Sequence, residues 1–191
     1  MRIVIAALFS AVILFIWGFV AHTFLPIGEM GVRAPANEDL VLESIKTGTP
    51  TPGIYLLPYV SNAQWSDEAY MKSYTEKAKT QPFVYMVVSP PYGDPMQMTP
   101  QLVKQFGCNL LGSLIVAWIL AATGWGFASR VLGAVGMGVF VWVSSVVPMA
   151  VWYRFPTEFM IGGLVEHAVG WLLGGILIAW WLGRTQPRRM F

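Results

Sequence analysis

Two histidines and one glutamate are the residues best placed to do chemistry in an apolar setting. Glu166 and His167 are adjacent within one apolar stretch, and His22 lies at the end of another. Ionisable groups are costly inside a hydrocarbon layer, so they usually face the protein interior and often have a function there. A carboxylate beside an imidazole could relay protons or bind an ion, and two imidazoles from two helices could ligate a b-type haem. We therefore take His22, Glu166 and His167 as candidate cofactor- or ion-binding residues.

Other ligands are compatible with the same region. Met96 and Met98 precede an apolar stretch, and their thioethers, together with the imidazole of His22, are ligand types that Cu(I) prefers. A lipid, a quinone or a pigment could also lie in a groove between apolar helices. The alternative is structural, since Glu166 could hydrogen-bond a histidine, serine or asparagine of a neighbouring helix. The sequence leaves these alternatives open.

Motifs typical of catalysis are not found in the sequence. There is no Walker loop, GxGxxG turn, HExxH, CxxC or CxxCH motif. Cys108 is the single cysteine, so no intramolecular disulfide can form. The net charge of +2 comes without a run of Lys and Arg, which argues against a nucleic-acid partner. We therefore do not expect an enzyme, and no particular cofactor follows from a motif.

The elements that must position these residues are apolar enough to need a bilayer. Hydrophobic residues make up 55% of the chain and charged residues only 12%, about half the charged share usual in soluble domains. A helix needs about 20 apolar residues to cross the hydrocarbon core. Four segments meet this length, at residues 3–24, 106–125, 131–153 and 159–182. The sequence predicts an all-α membrane bundle of four transmembrane helices, with a small α+β extracytoplasmic insertion between helices 1 and 2.

Charge and segment length predict the domain order and the orientation. The predicted domains are transmembrane helix 1 (1–24), the insertion (25–102), transmembrane helices 2–4 (103–183) and a basic tail (184–191). The first span is too long for a typical signal peptide and lacks a clear cleavage site, so we expect an uncleaved anchor. Positive residues favour the cytoplasm, and cytoplasmic termini would place these arginines there: Arg2, Arg130, Arg184, Arg188 and Arg189. The expected location is a bacterial plasma (inner) membrane, with the acidic insertion outside. Very short links predict that spans two, three and four are successive antiparallel neighbours.

Small and polar residues of the spans predict how the helices meet. Small residues allow close helix packing in membranes, and the predicted packing residues are Ala7, Ala11, Gly18, Ala134, Gly138, Gly163, Gly170 and Gly174. The polar residues fall in the half of the bilayer nearer the insertion and form a predicted polar layer: His22, Asn109, Ser144, Ser145, Glu166 and His167. Pro148 would free the carbonyl of Ser144 and weaken the third span locally.

The insertion carries local signals of order. The predicted helix starts are Asn37 for a first helix, Ser66 for a second, and Thr99-Pro100 for the helix that leads into span two. Gly48 would end the first of these helices. Two β-rich stretches, 53–59 and 83–88, could pair as a two-stranded sheet. Two strands and two short helices rarely stand alone in water, so we expect the insertion to rest on the membrane, on the helix ends or on another protein.

Six short motifs are spread over nearly the whole chain: Trp17-Gly18, Leu25-Pro26, Asn37-Glu38-Asp39, Gly53-Ile54-Tyr55, Phe155-Pro156 and Gly170-Trp171-Leu172-Leu173-Gly174. Together they resemble a family of uncharacterised bacterial four-span membrane proteins with an uncleaved first span. The resemblance implies the four-span fold and carries no activity with it.

The leading functional hypothesis is a non-catalytic accessory or assembly subunit of a larger membrane complex. It rests on the missing catalytic motifs, the small-residue helix faces and the thin insertion. Its expected partners are the lipid bilayer and other membrane-protein subunits. The alternative is a cofactor- or ion-binding membrane protein that uses the polar layer for haem b, a quinone, a pigment, copper or a proton relay. A small solute transporter is the third hypothesis.

Overall fold

The computed structural model describes residues 1–91 and 93–185, so Arg188 and Arg189 of the predicted basic tail lie outside the described residues. In chain order the elements are α1 (Arg2–Thr23), α2 (Glu38–Gly48), β1 (Gly53–Leu57), α3 (Glu68–Thr80), β2 (Val84–Val88), α4 (Thr99–Ala122), α5 (Phe127–Val141), α6 (Val147–Tyr153) and α7 (Thr157–Thr185). A π-helical turn, Trp142–Val146, joins α5 to α6. Among the described residues, four helices are long and apolar enough to cross a membrane: α1, α4, the continuous α5–α6 segment and α7.

The chain divides into two compact units. The helical unit comprises Met1–Arg33 and the chain from Gln97 onwards, and the insertion unit is Ala34–Met96. The insertion unit is shorter at both ends than the predicted insertion, 25–102. A short 3₁₀ turn, Pro26–Glu29, follows α1 and packs on α7. Because α4 already begins at Thr99, the residues before span two also belong to the helical unit.

The helices of this unit are not arranged in chain order. Helix α1 packs against both α4 and α7, and α5 packs against the other side of α7. Helices α4 and α5 meet mainly beside their connecting turn, where Leu120 lies against Gly133. The predicted neighbour relation of spans two and three was therefore wrong over most of their length. A short link constrains only the helix ends, whereas the residue faces decide which helices pack along their length.

Contacts along α7 fix the directions of its neighbours. Ser10 of α1 faces Gly174, and the later residue Trp17 faces Gly170, so α1 and α7 are antiparallel. Helix α5 runs opposite to α7 as well, because Ala134 meets Gly175 and Trp142, farther along, donates a hydrogen bond to the Met160 carbonyl. Three arginines consequently lie at the same end of the helical unit: Arg2, Arg130 and Arg184.

These helices are held together by close contacts between neighbouring helices at small residues. A methyl group at Gly174 would lie 2.6 Å from the Ser10 hydroxyl, and one at Gly138 would lie 2.7 Å from the His167 backbone oxygen. Such distances leave room for hydrogen only. Ala7, Ala11 and Ala134 are fully buried in the same helical unit. Since lipid tails are as apolar as leucine, close packing rather than water exclusion stabilises helices in a bilayer.

The third span is irregular where the sequence predicts it. Pro148 has no N–H to donate to the Ser144 carbonyl, and the backbone widens into the π-helical turn just before it. The Ser144 hydroxyl donates to the Phe140 carbonyl of its own helix, at 2.7 Å. The segment α6 ends at Tyr153, and the next residue, Arg154, adopts a left-handed conformation with φ of 58°.

The helix starts of the insertion unit partly follow the sequence signals. Asn37 caps α2 by accepting a hydrogen bond from the Leu40 N–H, at 3.0 Å. Helix α3 is capped by Asp67 and not by the predicted Ser66, because the Asp67 carboxylate reaches the Tyr70 N–H at 3.0 Å. Thr99 likewise lies inside α4 and does not cap it; Met98 precedes the helix.

The strands pair as predicted but are shorter. Strands β1 and β2 form an antiparallel two-stranded sheet in which Gly53 pairs with Val88 and Ile54 with Val87. Ile54 and Val87 are 63% and 68% exposed. Among the described residues of the insertion unit, Thr49 is the only buried one. The unit therefore has local order without a closed apolar core.

The glycines of α5 allow a matched test of the packing. We expect Gly138→Ala to lower the free energy of unfolding by about 1–3 kcal/mol, because its methyl group would press on the α7 backbone. Gly136→Ala, two residues away, meets no atom within 4 Å and should leave stability unchanged or slightly higher, since alanine favours helix. Denaturant unfolding in detergent micelles measures both, and equal effects of the two changes would contradict the close approach.

Candidate functional site: a groove between three helices

A groove of about 890 Å³ opens on the helical unit between α1, α4 and α7. It exists because α1 holds α4 and α7 together while those two helices barely contact each other. Its apolar lining includes Leu14, Phe15, Trp17 and Trp171. Its volume lies in the range of small-molecule sites, about 300–1,000 Å³.

Trp171 forms a wall of the groove by filling the space between α4 and α5. Its indole would lie 3.6 Å from a methyl group at Gly112 of α4 and 2.7 Å from one at Gly138 of α5. Only Gly138 must be a glycine for the ring to fit, since a methyl group at Gly112 would be in ordinary contact with it. This wedge keeps α4 away from α5 beyond their connecting turn, and it leaves the groove open beside α1.

A hydrogen bond between side chains of α1 and α7 lies in the groove. His22 Nε2 is 3.1 Å from Glu166 Oε1, and the two side chains are 53% and 35% exposed. Gly28 lies directly against the other ring nitrogen of His22, Nδ1. One turn earlier on α1, the Trp17 indole N–H donates to the Glu166 backbone oxygen at 3.0 Å. Glu166 is thus held by α1 through both its side chain and its backbone.

His167 lines the same groove but bonds within its own helix. Its Nδ1 lies 2.7 Å from the Gly163 carbonyl oxygen. A carbonyl oxygen can only accept, so Nδ1 carries the proton and, in the neutral ring, Nε2 has a free lone pair. His167 therefore offers the groove a hydrogen-bond acceptor, without being needed for contact between helices.

Helix α4 contributes an amide pair to the groove. Gln105 Nε2 donates to Asn109 Oδ1 at 3.0 Å, and both side chains line the groove together with Cys108. Of the predicted polar layer, Asn109 thus lies with His22, Glu166 and His167. Ser144 and Ser145 do not: their hydroxyls donate to carbonyls of their own helix, and they are absent from the groove lining.

The predicted packing residues are divided between different neighbours. Gly170 and Gly174 face α1, whereas a methyl group at Gly163 would meet the side chains of Val146 and Trp142. Gly18 has no atom within 4 Å of a methyl position and lines the groove instead. Helix α7 therefore packs against neighbours on two sides.

The predicted metal ligands belong to different units of the structure. Met98 lines the groove with His22, while Met96 belongs to the insertion unit and is 80% exposed. In residues 1–91 and 93–185 there is no group of three or more His, Cys, Asp or Glu that could hold a metal ion. Axial haem ligation by His22 and His167 would first require His22 to give up Glu166.

Several residues of the site were not predicted from the sequence to be binding or packing residues. They are Trp17, Gln105, Gly112 and Trp171 in the groove, and the buried serines Ser10 and Ser113, whose hydroxyls are 3.0 Å apart. A tryptophan in the middle of a span, away from the interfaces where such rings prefer to lie, was the available signal. The doubled glycines Gly162-Gly163 and Gly174-Gly175 were a second one, since a helix gripped from two sides needs small residues on both.

Comparisons with protein-family models, curated proteins and solved structures found no match to this chain.

The protonated nitrogen of each histidine is open to direct measurement, because the chain has only two histidines. In protein labelled with ¹⁵N-histidine at pH 8 in micelles, we expect His167 to carry its proton on Nδ1 and His22 on Nε2. His22→Gln and His167→Gln assign the two sets of resonances. A neutral His167 ring with its proton on Nε2 would contradict the bond to Gly163.

Proposed function

We propose that this chain is a non-catalytic accessory or assembly subunit of a larger complex in a bacterial plasma membrane. The observation that carries the proposal is the insertion unit, whose described residues include no buried apolar side chain. A two-stranded sheet with two short helices is marginal in water without a covered face. A partner surface would supply the missing cover.

The sheet offers a defined face for such a partner. Ile54 and Val87 lie directly opposite each other on β1 and β2, and both are largely exposed. An apolar cross-strand pair of this kind stabilises a sheet most when it is buried against another surface. Interface cores are apolar in the same way.

Charge favours a protein over an anionic lipid surface as the cover. Residues 34–96 carry seven acidic and four basic side chains, a net charge of −3. A negatively charged leaflet repels such a segment, whereas a protein surface can complement its charges. We therefore assign the exposed sheet face to another subunit of the complex.

The orientation is part of the proposal. Arg2, Arg130 and Arg184 share one end of the helical unit, and positive residues favour the cytoplasmic side of a span. This supports cytoplasmic termini and an extracytoplasmic insertion. The same end is rich in tryptophan, with the Arg184 guanidinium 4.6 Å from the Trp180 ring centre, as is common where spans meet the interface.

A second candidate function is ligand binding by the groove. The observation that favours it is the convergence of His22, Glu166 and His167 on an open space walled by aromatic rings. It is compatible with the accessory role, because a subunit can hold a small molecule without turning it over. Solute transport remains the third hypothesis, and vesicle uptake assays would test it.

The accessory proposal is tested by purifying the protein in mild detergent from its own membrane and quantifying the chains that accompany it. We expect a stoichiometric partner, and we expect Val87→Thr to weaken its retention by roughly tenfold, because interface-core residues often contribute over 1 kcal/mol. A monomer with no accompanying chain would overturn the proposal.

Val32→Thr is the matched control for this experiment. Val32 has the same exposed fraction as Val87, 68%, but belongs to the helical unit. Both changes replace one methyl group by a hydroxyl and keep the shape. If both variants retain the partner equally, the sheet face is not the docking surface, and the partner must bind elsewhere.

A further inference from the structure

The groove has an apolar part and a polar end. The apolar part runs along α1 from Leu14 to Phe19, opposite Trp171 of α7. The polar end lies at the end of α1 with His22, beside Gln105 near the start of α4. At 1.5 Å per residue, Leu14 and His22 are about 12 Å apart along the helix axis. This shape suits a molecule with a compact polar head and an apolar tail.

The polar end has three acceptor atoms left for a ligand, beside the donors of Thr23 and Asn109. His22 occupies one oxygen of the Glu166 carboxylate, which leaves Oε2 without a hydrogen bond from the described residues. His167 uses Nδ1 for the Gly163 carbonyl, which leaves Nε2 as an acceptor in the neutral ring. Gln105 donates to Asn109, so its own Oε1 is a third acceptor. Hydroxyl groups both donate and accept, so a head that carries them can bond to these acceptors and donors alike.

The charges of the groove disfavour anionic heads. Its lining residues, all within the described ranges, include a carboxylate but no Lys or Arg. An anionic phosphate head would meet the Glu166 carboxylate with no Lys or Arg to neutralise it, at a cost of repulsion and of desolvation. An uncharged head with hydroxyl groups can donate to Glu166 and His167 and brings no negative charge.

We propose that the groove binds an uncharged, hydroxyl-headed amphiphile, whose head donates hydrogen bonds to Glu166 Oε2 and His167 Nε2 while its tail lies between Leu14, Phe15 and Trp171. An isoprenoid hydroquinone and a neutral glycerolipid share this chemistry. The inference rests on the second candidate function, ligand binding by the groove, and is independent of the accessory role.

The ligand-side test leaves the protein unchanged. The full chain in phosphatidylcholine nanodiscs is titrated with decylhydroquinone, kept reduced, and with its dimethyl ether, which has the same tail and ring but no hydroxyl hydrogen. Bound ligand is counted by mass spectrometry of the folded protein. We expect the hydroquinone to bind at least about tenfold more tightly, since hydrogen bonds to charged acceptors are the stronger ones. Binding of both ligands with the same affinity would overturn the proposal.

The protein-side test uses variants that spare the helix contacts. Glu166→Gln keeps an oxygen for His22 but replaces the second acceptor by a donor, and His167→Phe removes an acceptor that bonds only within its own helix. Each should weaken hydroquinone binding by about tenfold. Ser145→Ala, outside the groove, should bind like the unchanged protein. The ¹⁵N resonance of His167 Nε2 should move with the hydroquinone and stay with the ether.

Two further probes distinguish the sources of the hydroxyl head. Binding of dioctanoylglycerol but not of decylhydroquinone would retain the hydroxyl chemistry and assign the glycerolipid as its source. Displacement of either probe by phosphatidylglycerol vesicles, or failure of both probes to bind, would overturn the inference. None of these results affects the partner retained by the insertion unit, so failure here and failure of the accessory role are separately visible.

Discussion

The helical unit depends on the close approach of α7 to two helices at once. On one side, Gly174 leaves only enough space for the Ser10 hydroxyl of α1; on the other, Gly175 lies against Ala134 of α5. In a bilayer, a helix gains no hydrophobic free energy by exchanging lipid contacts for contacts with another helix. Close packing and interhelical hydrogen bonds then determine how helices associate. A side chain at either glycine would part α7 from one of its neighbours.

The same arrangement produces the groove. Helix α4 has no comparable contact with α7 and is joined to the unit through α1, where Ser113 donates to the buried Ser10 hydroxyl. Trp171 then fills the space between α4 and α5, because Gly138 of α5 has no side chain that would meet the ring. Because α4 and α7 are joined mainly through α1, they do not pack against each other along their whole length. The open side carries the polar residues of α1, α4 and α7.

The sequence predicted what depends on composition and local pattern, and it failed where packing decides. Four long apolar helices, the Asn37 cap and the two paired strands follow from residue types alone. The pairing of α4 with α1 does not, because the link of four residues between α4 and α5, 123–126, constrains only the helix ends. His22, Glu166 and His167 were singled out by their cost in an apolar span, but no residue pattern indicates that His167 bonds within α7. The wedge of Trp171 depends on a glycine of another helix, Gly138 of α5.

The His22–Glu166 pair contributes little to holding the fold. Partly exposed ion pairs are weak, and buried ones lose in desolvation much of what they gain in attraction. The contact between α1 and α7 is already secured at this level by the Trp17 bond to the Glu166 backbone, which any residue at 166 would accept. The carboxylate is therefore surplus to helix packing, and His22 occupies only one of its oxygens. An acceptor left in an aromatic-walled groove costs free energy until a donor arrives, which is the physical reason to look for a ligand there.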